Sequence, residues 1–575
     1  MTSSFVEALT PAQVEHLSRM LKILTKYSYA LDLSCLGSGK TYIAAAVAQA
    51  WRFKRVVVVC PATVESVWNG LFSRRDLPLP DLIETPTVMS YEMFRGSKPV
   101  TVAGTRVTLS HGLLSASVAT GARPGSVTLA YYPTDRLREI CREGCLFVFD
   151  ESHRAKNASA ATHEAVSVVI GTVTAVGGWS RTLLLTGTLF DKREHAFALA
   201  RLLGIAKSSE PSVFNRATRS VALTGAAEIV AFCKTVVQGI PSSSITPQYG
   251  QSYVIDRKSA FTLAFELMTK IVIPDISSCI EAEPEKIARK KACGTVECTE
   301  GKSLDCQNLF VKMAPDDNAA FRDAITRLTR VLHYDSRTRT INFKAIRNFT
   351  AAPSEKEGDE LVFGKSPEAR ESPVDWGTIT VLLMQIESTK IQNLIALAVN
   401  KLTTEPNAKV VVVVNYVTSV ASIARGIKAA LPSENVAVVQ GSTSKISRGK
   451  TFERFQRPTS DLRVIVANMH VIALGVSLDD QSEAGEWPRY AYASPSYYAV
   501  NQHQFVRRFY RMNTRSRATV RYVYGAQIGT DDERICESHL ISALSRKASV
   551  IKSTLPTGAA ENILFADEYA STSEI

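Results

Sequence analysis

Two runs of consecutive valines, RVVVVCP (Arg55–Pro61) and KVVVVVNY (Lys409–Tyr416), constrain this chain more than any other feature. A strand with one face in water alternates apolar and polar side chains. A run that is apolar at every position must be covered on both faces, as in a central strand of a parallel sheet with helices on either side. The runs lie in opposite halves of a 575-residue chain, too long for one ordinary domain. Further strand candidates accompany each run: LFVFDE (Leu146–Glu151) and TLLLTGT (Thr182–Thr188) in the first half, VAVVQG (Val436–Gly441), RVIVANM (Arg463–Met469) and TVRYVYG (Thr519–Gly525) in the second. Helical patterns lie between them, TYIAAAVAQAW after Lys40 and STKIQNLIALAVNKL from Ser388. Strand alternating with helix predicts an α/β fold class, two parallel-sheet domains in tandem with a helical or irregular insertion between them.

That rhythm breaks between Ser208 and Trp376, where charge clusters (EAEPEKIARKK, SEKEGDE) and Pro/Ser punctuation (GIPSSSITP) gather. The expected organisation is therefore a first domain over 1–207 and a connector with helical insertion and the start of the second lobe over 208–376. A second domain over 377–550 and a flexible tail over 551–575 follow. A hydrophobic content of 45% with 21% charged residues excludes disorder as the main state. The formal charge of +12 suits a polyanionic partner without requiring one, because a solvated basic face gives the same total. The amino terminus lacks the charged and apolar segments of a secretory leader, and no apolar run approaches the ~20 residues that span a bilayer. With ten scattered cysteines, the expected setting is reducing and intracellular, away from membranes. Cys279, Cys293, Cys298 and Cys306 contain no C-x₂-C pair, so a zinc site is a weak alternative to separate thiols.

The segment SCLGSGKT (Ser34–Thr41) follows an apolar stretch and opens a helix. In that context the backbone N–H groups of Ser34, Cys35, Leu36, Gly37, Ser38 and Gly39 form a cradle for phosphate, and the two glycines permit close approach. Lys40 would reach the β- and γ-phosphates and the Thr41 hydroxyl would help hold Mg²⁺. The alternative is a glycine-rich turn before a surface helix, and Ser34 stands where the full pattern begins with glycine. Downstream, VFDESHRAKN (Val148–Asn157) places Asp150 and Glu151 at the end of an apolar strand. There Asp150 can bind Mg²⁺ through water, Glu151 can orient or deprotonate an attacking water, and His153 can sense the γ-phosphate. A capped strand end and a satisfied core histidine are the bland alternatives.

Taken in order, these segments resemble superfamily 2 helicase-type ATPases, and within them the Swi/Snf-like DNA translocases, whose cores are two RecA-like domains. The resemblance covers most of the chain. LTPAQ (Leu9–Gln13) is similar to the family's upstream glutamine motif, which implies that Gln13 reads adenine. VVVVCPATVESVW and VMSYEMFR resemble motifs that touch nucleic acid, which implies that role for Pro61, Thr63, Ser90 and Tyr91. LLLTGTLF resembles the coupling motif, giving Thr186, Gly187 and Thr188. GSTSKISRGKTFERF implies nucleic-acid contacts at Gly441 and Thr443, and ANMHVIALGVSLDD a nucleotide contact at Gly475. QFVRRFYR resembles Q-x-x-G-R-x-x-R, with Gln504 in coupling and Arg508 and Arg511 as finger residues reaching across the cleft. Leu189 in place of a common proline, and Arg507 in place of glycine, depart from the pattern.

Charge supports the same arginines independently. Between Asn501 and Tyr524 stand Arg507, Arg508, Arg511, Arg515, Arg517 and Arg521 with no acid, and residues three apart share a helix face. Arg508 and Arg511 suit transition-state stabilisation, while Arg515, Arg517 and Arg521 suit surface or DNA contact. The resemblance thus implies ATP and Mg²⁺ as cofactors and nucleic acid, foremost double-stranded DNA, as partner. Compact relatives occur in large DNA viruses, some acting with RNA polymerase or other transcription proteins, which would place the chain in a nucleus, viral factory or virion. An RNA or DNA strand-separating helicase, or an inactive ATPase fold acting as a scaffold, are the competing readings.

Overall fold

The computed structural model describes residues 5–34, 37–74, 79, 82–96, 99–102, 105–108, 112–120, 127–215, 220–236, 257–280, 288–290, 295–297, 303–312, 376–472, 476–482, 485–496, 498–509, 514–526, 538–553 and 573–574. It comprises two compact units, Met1–Ala282 with Ser549–Asn562, and Glu283–Ala548 with Ile563–Ile575.

In the first unit, helix α1 (Pro11–Lys26) begins with a reciprocal cap in which the Thr10 hydroxyl accepts the Gln13 N–H and the Gln13 side chain accepts the Thr10 N–H. Strand β1 (Tyr29–Asp32), α2 (Lys40–Ala50), β2 (Arg55–Cys60), α3 (Glu65–Phe72), β3 (Thr87–Ser90) and α4 (Tyr91–Arg95) follow. Two antiparallel hairpins come next, β4 (Pro99–Val102) with β5 (Thr105–Thr108) and β6 (Leu114–Thr120) with β7 (Val127–Pro133). Helix α5 (Asp135–Glu143) returns the chain to β8 (Cys145–Asp150), and α6 (Ala161–Val176) leads to β9 (Arg181–Leu185). After α7 (Glu194–Leu202), the β10 (Ser212–Asn215) and β11 (Ser220–Leu223) hairpin, α8 (Gly225–Val236) and a helix over Arg257–Leu267, the two-residue strand β12 (Ser277–Ser278) completes the sheet.

The sheet order is β12-β1-β9-β8-β2-β3, parallel throughout. The valine run behaves as its composition demands. Val57 and Val59 join Phe147, Phe149 and Leu184 in the core on one face, while Val56 and Val58 join Leu146, Val148, Leu183 and Leu185 on the other. Each such side chain withdrawn from water contributes about 1.5–3 kcal/mol before entropy is counted. One consequence of the order matters most: β9 alone separates β1 from β8, so the loop leaving β1 and the acids ending β8 share the carboxyl edge of the sheet, where open α/β sheets bind ligands.

The second unit repeats the architecture. Its strands are β13 (Ala288–Lys290), β14 (Thr295–Glu297), β15 (Ser303–Lys312), β16 (Lys409–Val414), β17 (Val436–Val439), β18 (Val464–Asn468), β19 (Arg489–Ala493), β20 (Ala518–Ala526) and β21 (Ser573–Glu574). They run in the order β13-β14-β15-β20-β19-β16-β18-β17, with β21 beside β15. Pairing is parallel from β15 to β17 and antiparallel over β13, β14 and β15. All five valines of the second run are fully buried.

The expected boundary at 207 gives way to one at Ala282. Ile229, Cys233, Leu263, Met268 and Ile276 bury into the same core as β2 and β8, and β12 pairs with β1. Likewise β15, inside the segment read as a connector, pairs with β20 from Leu304–Ala518 to Lys312–Ala526. Among the described residues no helix is long and apolar enough to cross a membrane. Most of the tail expected over 551–575 lies outside the described residues.

Candidate functional site

The loop after β1 presents Gly37 at φ 84° and Gly39 at φ 88°, the left-handed region that suits glycine. Gly39 is required twice over, because a Cβ there would also stand 2.3 Å from Gln13 Nε2. That nitrogen donates to the Ser38 carbonyl at 2.9 Å, so the glutamine on α1 clamps the loop while its oxygen serves the helix cap. Gly39 also caps α2 without any side-chain hydrogen bond and no acid occupies the first turn, which leaves the positive helix end facing the loop. Lys40 donates to the Ser34 carbonyl at 2.9 Å. Cys35 and Leu36 lie outside the described residues.

Asp150 ends β8 under close control. Its Oδ2 accepts from Trp68 Nε1 at 2.9 Å, its Oδ1 from the Glu151 N–H at 2.9 Å, and its carbonyl from the Tyr91 hydroxyl at 2.9 Å. Burial, then the neighbouring Glu151 charge, push its carboxyl up to about 6 against the opposing pull of Trp68 and Lys40. Glu151 itself has φ 53°, a left-handed conformation that costs a non-glycine residue about 1–3 kcal/mol and persists where the surroundings impose it. Its Oε2 lies 3.2 Å from His153 Nδ1, which is also 3.2 Å from Thr186 Oγ1. Thr186 donates its hydroxyl to the Thr188 carbonyl at 2.8 Å and its N–H to the Asp32 carbonyl at 3.0 Å. One chain of contacts therefore runs from the acidic pair through His153 and the Thr186–Gly187–Thr188 turn to the base of the phosphate loop. Lys40 acts electrostatically on both Asp32 and Asp150.

The remaining candidates fall as follows. Pro61 follows β2, buried, and Thr63 lies half-buried in the turn before α3. Ser90 spends its hydroxyl capping α4 through the Met93 N–H, and Tyr91 is 2% exposed; both support the site from within and neither presents a side chain to solvent. In the second unit Gly441 is exposed, and Thr443 accepts the Gln440 N–H at 3.0 Å. Gln504 is buried on the helix Ala499–Val506, and Arg508 follows that helix, also buried, its carbonyl accepting the Leu478 N–H at 2.9 Å. Gly475 and Arg511 lie outside the described residues. Arg521, expected at the surface, is half-buried and pairs at 2.6 Å with Asp305, which lies on β15 two residues from Gln307, the register partner of Arg521. Cys279 and Cys306 are buried thiols in different units, Cys293 and Cys298 are outside the described residues, and no metal-holding cluster occurs among the described ones.

Several site residues were not legible as such. Trp68 carries no signal beyond its place on a helix after the valine strand. Asp191, 2.7 Å from Lys156 and 3.2 Å from His195, holds the segment after Thr188 against the end of the acidic box. His16 and Asp32, both fully buried, meet beneath the phosphate loop. The available hint for His16 was a histidine on the apolar stripe of α1 beside Leu17, Met20 and Leu24.

No protein-family profile matches the chain. A stretch of 89 residues is 30% identical to a protein of Acanthamoeba polyphaga mimivirus provisionally named an ATP-dependent RNA helicase. The match spans 16% of this chain and 16% of that relative's length. Among solved structures, the chain is similar to the SWI2/SNF2 ATPase core of Sulfolobus solfataricus in complex with double-stranded DNA, at 14% identity and a TM-score of 0.27, over 97% of each chain. It is also similar to the helicase domain of Pyrococcus furiosus Hef, at 12% identity and a TM-score of 0.38, over 90% of this chain and 96% of that one. Helicase-type proteins are what the chain is similar to.

Proposed function

We propose that the chain is an ATP-hydrolysing nucleic-acid motor of the superfamily 2 helicase type, working on duplex DNA. The observation that carries this reading is the convergence of Lys40, Asp150, Glu151 and the Thr186–Thr188 turn on one edge of one sheet, with the Lys40 charge acting on Asp150. The residues fit a magnesium nucleotide: the loop has no Cβ at Gly37 or Gly39, its ammonium is at hand, and a carboxylate stands where a cation would offset burial. Thr41 and Asp150 would hold Mg²⁺, which when bound neutralises charge on the phosphates.

Each protein group then has a defined task. Lys40 exchanges the Ser34 carbonyl for phosphate oxygens, and the α2 amino end and loop N–H groups orient the anion. Glu151 positions and deprotonates the attacking water. His153, bound to both Glu151 and Thr186, reports the state of the acids to the turn after β9. Arg508 and Arg511 are assigned the offsetting of charge on the transferring phosphoryl group. Pro61, Thr63, Gly441 and Thr443 are assigned to the nucleic-acid backbone, contacts that carry little sequence information and weaken with salt. The mimivirus match favours a large-DNA-virus setting, and transcription proteins are assigned as partners there on the sequence resemblance alone.

A second reading, an RNA strand-separating helicase, draws on the name of the mimivirus relative. ATP turnover measured without polymer and with double-stranded DNA, single-stranded DNA and RNA decides between them. Strongest stimulation by duplex DNA is expected. Stimulation by RNA alone would replace the first reading with the second, and ATP turnover indifferent to every polymer would refute both.

A further inference from the structure

Beneath the phosphate loop lies a cluster of polar side chains that the chemistry above does not use, although the Ser34 carbonyl belongs to it. His16, Asp32 and Ser34 are fully buried and Ser278 is 6% exposed. His16 Nε2 is 3.2 Å from Asp32 Oδ2 and 3.4 Å from Ser34 Oγ, while its Nδ1 is 2.8 Å from Ser278 Oγ. The Ser34 N–H donates to Asp32 Oδ1 at 2.9 Å. Burial alone would raise the Asp32 carboxyl, but the His16 contact and the Lys40 charge hold it below the usual range. Burying so many polar groups costs several kcal/mol unless they satisfy one another, and here each bond is made to a different segment of the unit: α1, β1, the loop and β12.

Ser34 is the junction. Its carbonyl takes the Lys40 ammonium, and its Oγ accepts the Ile280 N–H at 2.8 Å. Beside it, the Leu33 N–H donates to the Ser278 carbonyl at 2.9 Å. Ser278 and Ile280 belong to the last described stretch before the chain leaves the first unit at Ala282. The strand that enters the phosphate loop and the strand that leaves for the second unit thus run side by side, and the Ser34 hydroxyl is bonded to both His16 and the exit segment. A glycine at position 34, the residue that opens the usual phosphate-loop pattern, would leave the Ile280 N–H and the histidine without that oxygen.

We infer that His16, Ser34 and Ser278 are positioning residues that tie the state of the phosphate loop to the segment leading into the second unit. The inference rests on the nucleotide reading of that loop. When Lys40 turns to a phosphate it gives up the Ser34 carbonyl, the Ser34 peptide is freed to shift, and its hydroxyl carries that shift to Ile280. The serine is what makes the phosphate loop and the exit segment one mechanical element.

The test uses the full chain with Ser34→Ala, Ser278→Ala and the double variant, each change removing one oxygen. Steady-state ATP turnover is measured with and without the most stimulating polymer, with thermal unfolding in parallel. Each single variant is expected to lower the stimulation ratio about five- to tenfold, the worth of one buried hydrogen bond, and the double variant no further than the worse single. Two variants whose ratio stays within about twofold of the wild type, whatever happens to their unfolding temperature, would overturn the inference and leave a structural role only. Additive losses in the double variant would overturn it as well. A wild-type chain without polymer-stimulated ATP turnover would instead refute the functional reading, and the inference with it.

Discussion

Replacing Gly39 by alanine perturbs the candidate site at one atom whose surroundings are known. At φ 88° an alanine pays about 1–2 kcal/mol for the left-handed conformation. Its Cβ would stand 2.3 Å from Gln13 Nε2, so the glutamine must swing away and lose its 2.9 Å bond to the Ser38 carbonyl, worth about 1 kcal/mol. The sum, about 2–3 kcal/mol, corresponds to a roughly 30- to 150-fold loss of affinity for nucleotide if the loop must hold its present shape to bind. The two parts separate in a second background. In Gln13→Ala the obstructing side chain is gone, so adding Gly39→Ala costs only the conformational part, about 5- to 30-fold. Titration of the four proteins with a fluorescent ATP analogue at fixed Mg²⁺ reads all four affinities. An identical penalty for Gly39→Ala with and without the Gln13 side chain would refute the clamp between α1 and the loop.

Asp191→Asn is expected to destabilise the first unit by about 3 kcal/mol in denaturant unfolding, because Lys156 loses its counter-charge and the His195 ring, held towards its neutral form by burial, loses its carboxylate contact. Burial would raise the Asp191 carboxyl, but His195 and Lys156 hold it far below its ordinary value. Its contribution is therefore present above the unfolded aspartate range and is lost as the pH falls towards the native value, a loss that the asparagine variant does not show. Lys409, buried with its ammonium donating to the Phe455 and Arg457 carbonyls at 2.6 and 2.5 Å, is pulled down to about 7 by burial and the Arg489 charge. The unfolded chain keeps that proton to higher pH than the native one, so stability of the second unit rises between about 7 and the ordinary 10.5, by at most about 1.4 kcal/mol per pH unit. Lys409→Met should flatten that rise, and unchanged pH dependence in the variant would contradict the assignment.

Much of this architecture is legible in the residues because burial on both faces leaves a composition no other environment explains. The valine strands β2 and β16, and the strands ending in Asp150 and before Thr186, stand where the apolar runs place them. Strands with weaker signatures were not legible. β12 is two residues long, β15 reads SLDCQNLFVK with polar residues interspersed, and β19 reads RYAYA; their place in a sheet depends on partners far away in sequence, which local pattern does not encode. The site divides in the same way. Lys40, Asp150 and Glu151 are recognisable because phosphate chemistry demands those residue types in that order. The groups that hold them, among them Trp68, His16, Asp32 and Ser278, are chosen by packing in three dimensions, so a tryptophan, a histidine and a serine elsewhere in the chain look the same until the fold brings them together. Arg521 shows the same limit from the other side: charge alone suggested a surface, and the partner that half-buries it, Asp305, comes from β15, more than two hundred residues away in the chain.

The central claim is that the loop after β1 and the acids after β8 form one ATP-hydrolysing site. Its most direct test is ATP turnover by the wild type and by Lys40→Ala, each with duplex DNA at saturation, with circular dichroism to show that both are folded. The account expects turnover in the wild type and its loss, by about three orders of magnitude, in the variant. A folded Lys40→Ala protein that hydrolyses ATP at the wild-type rate would contradict it.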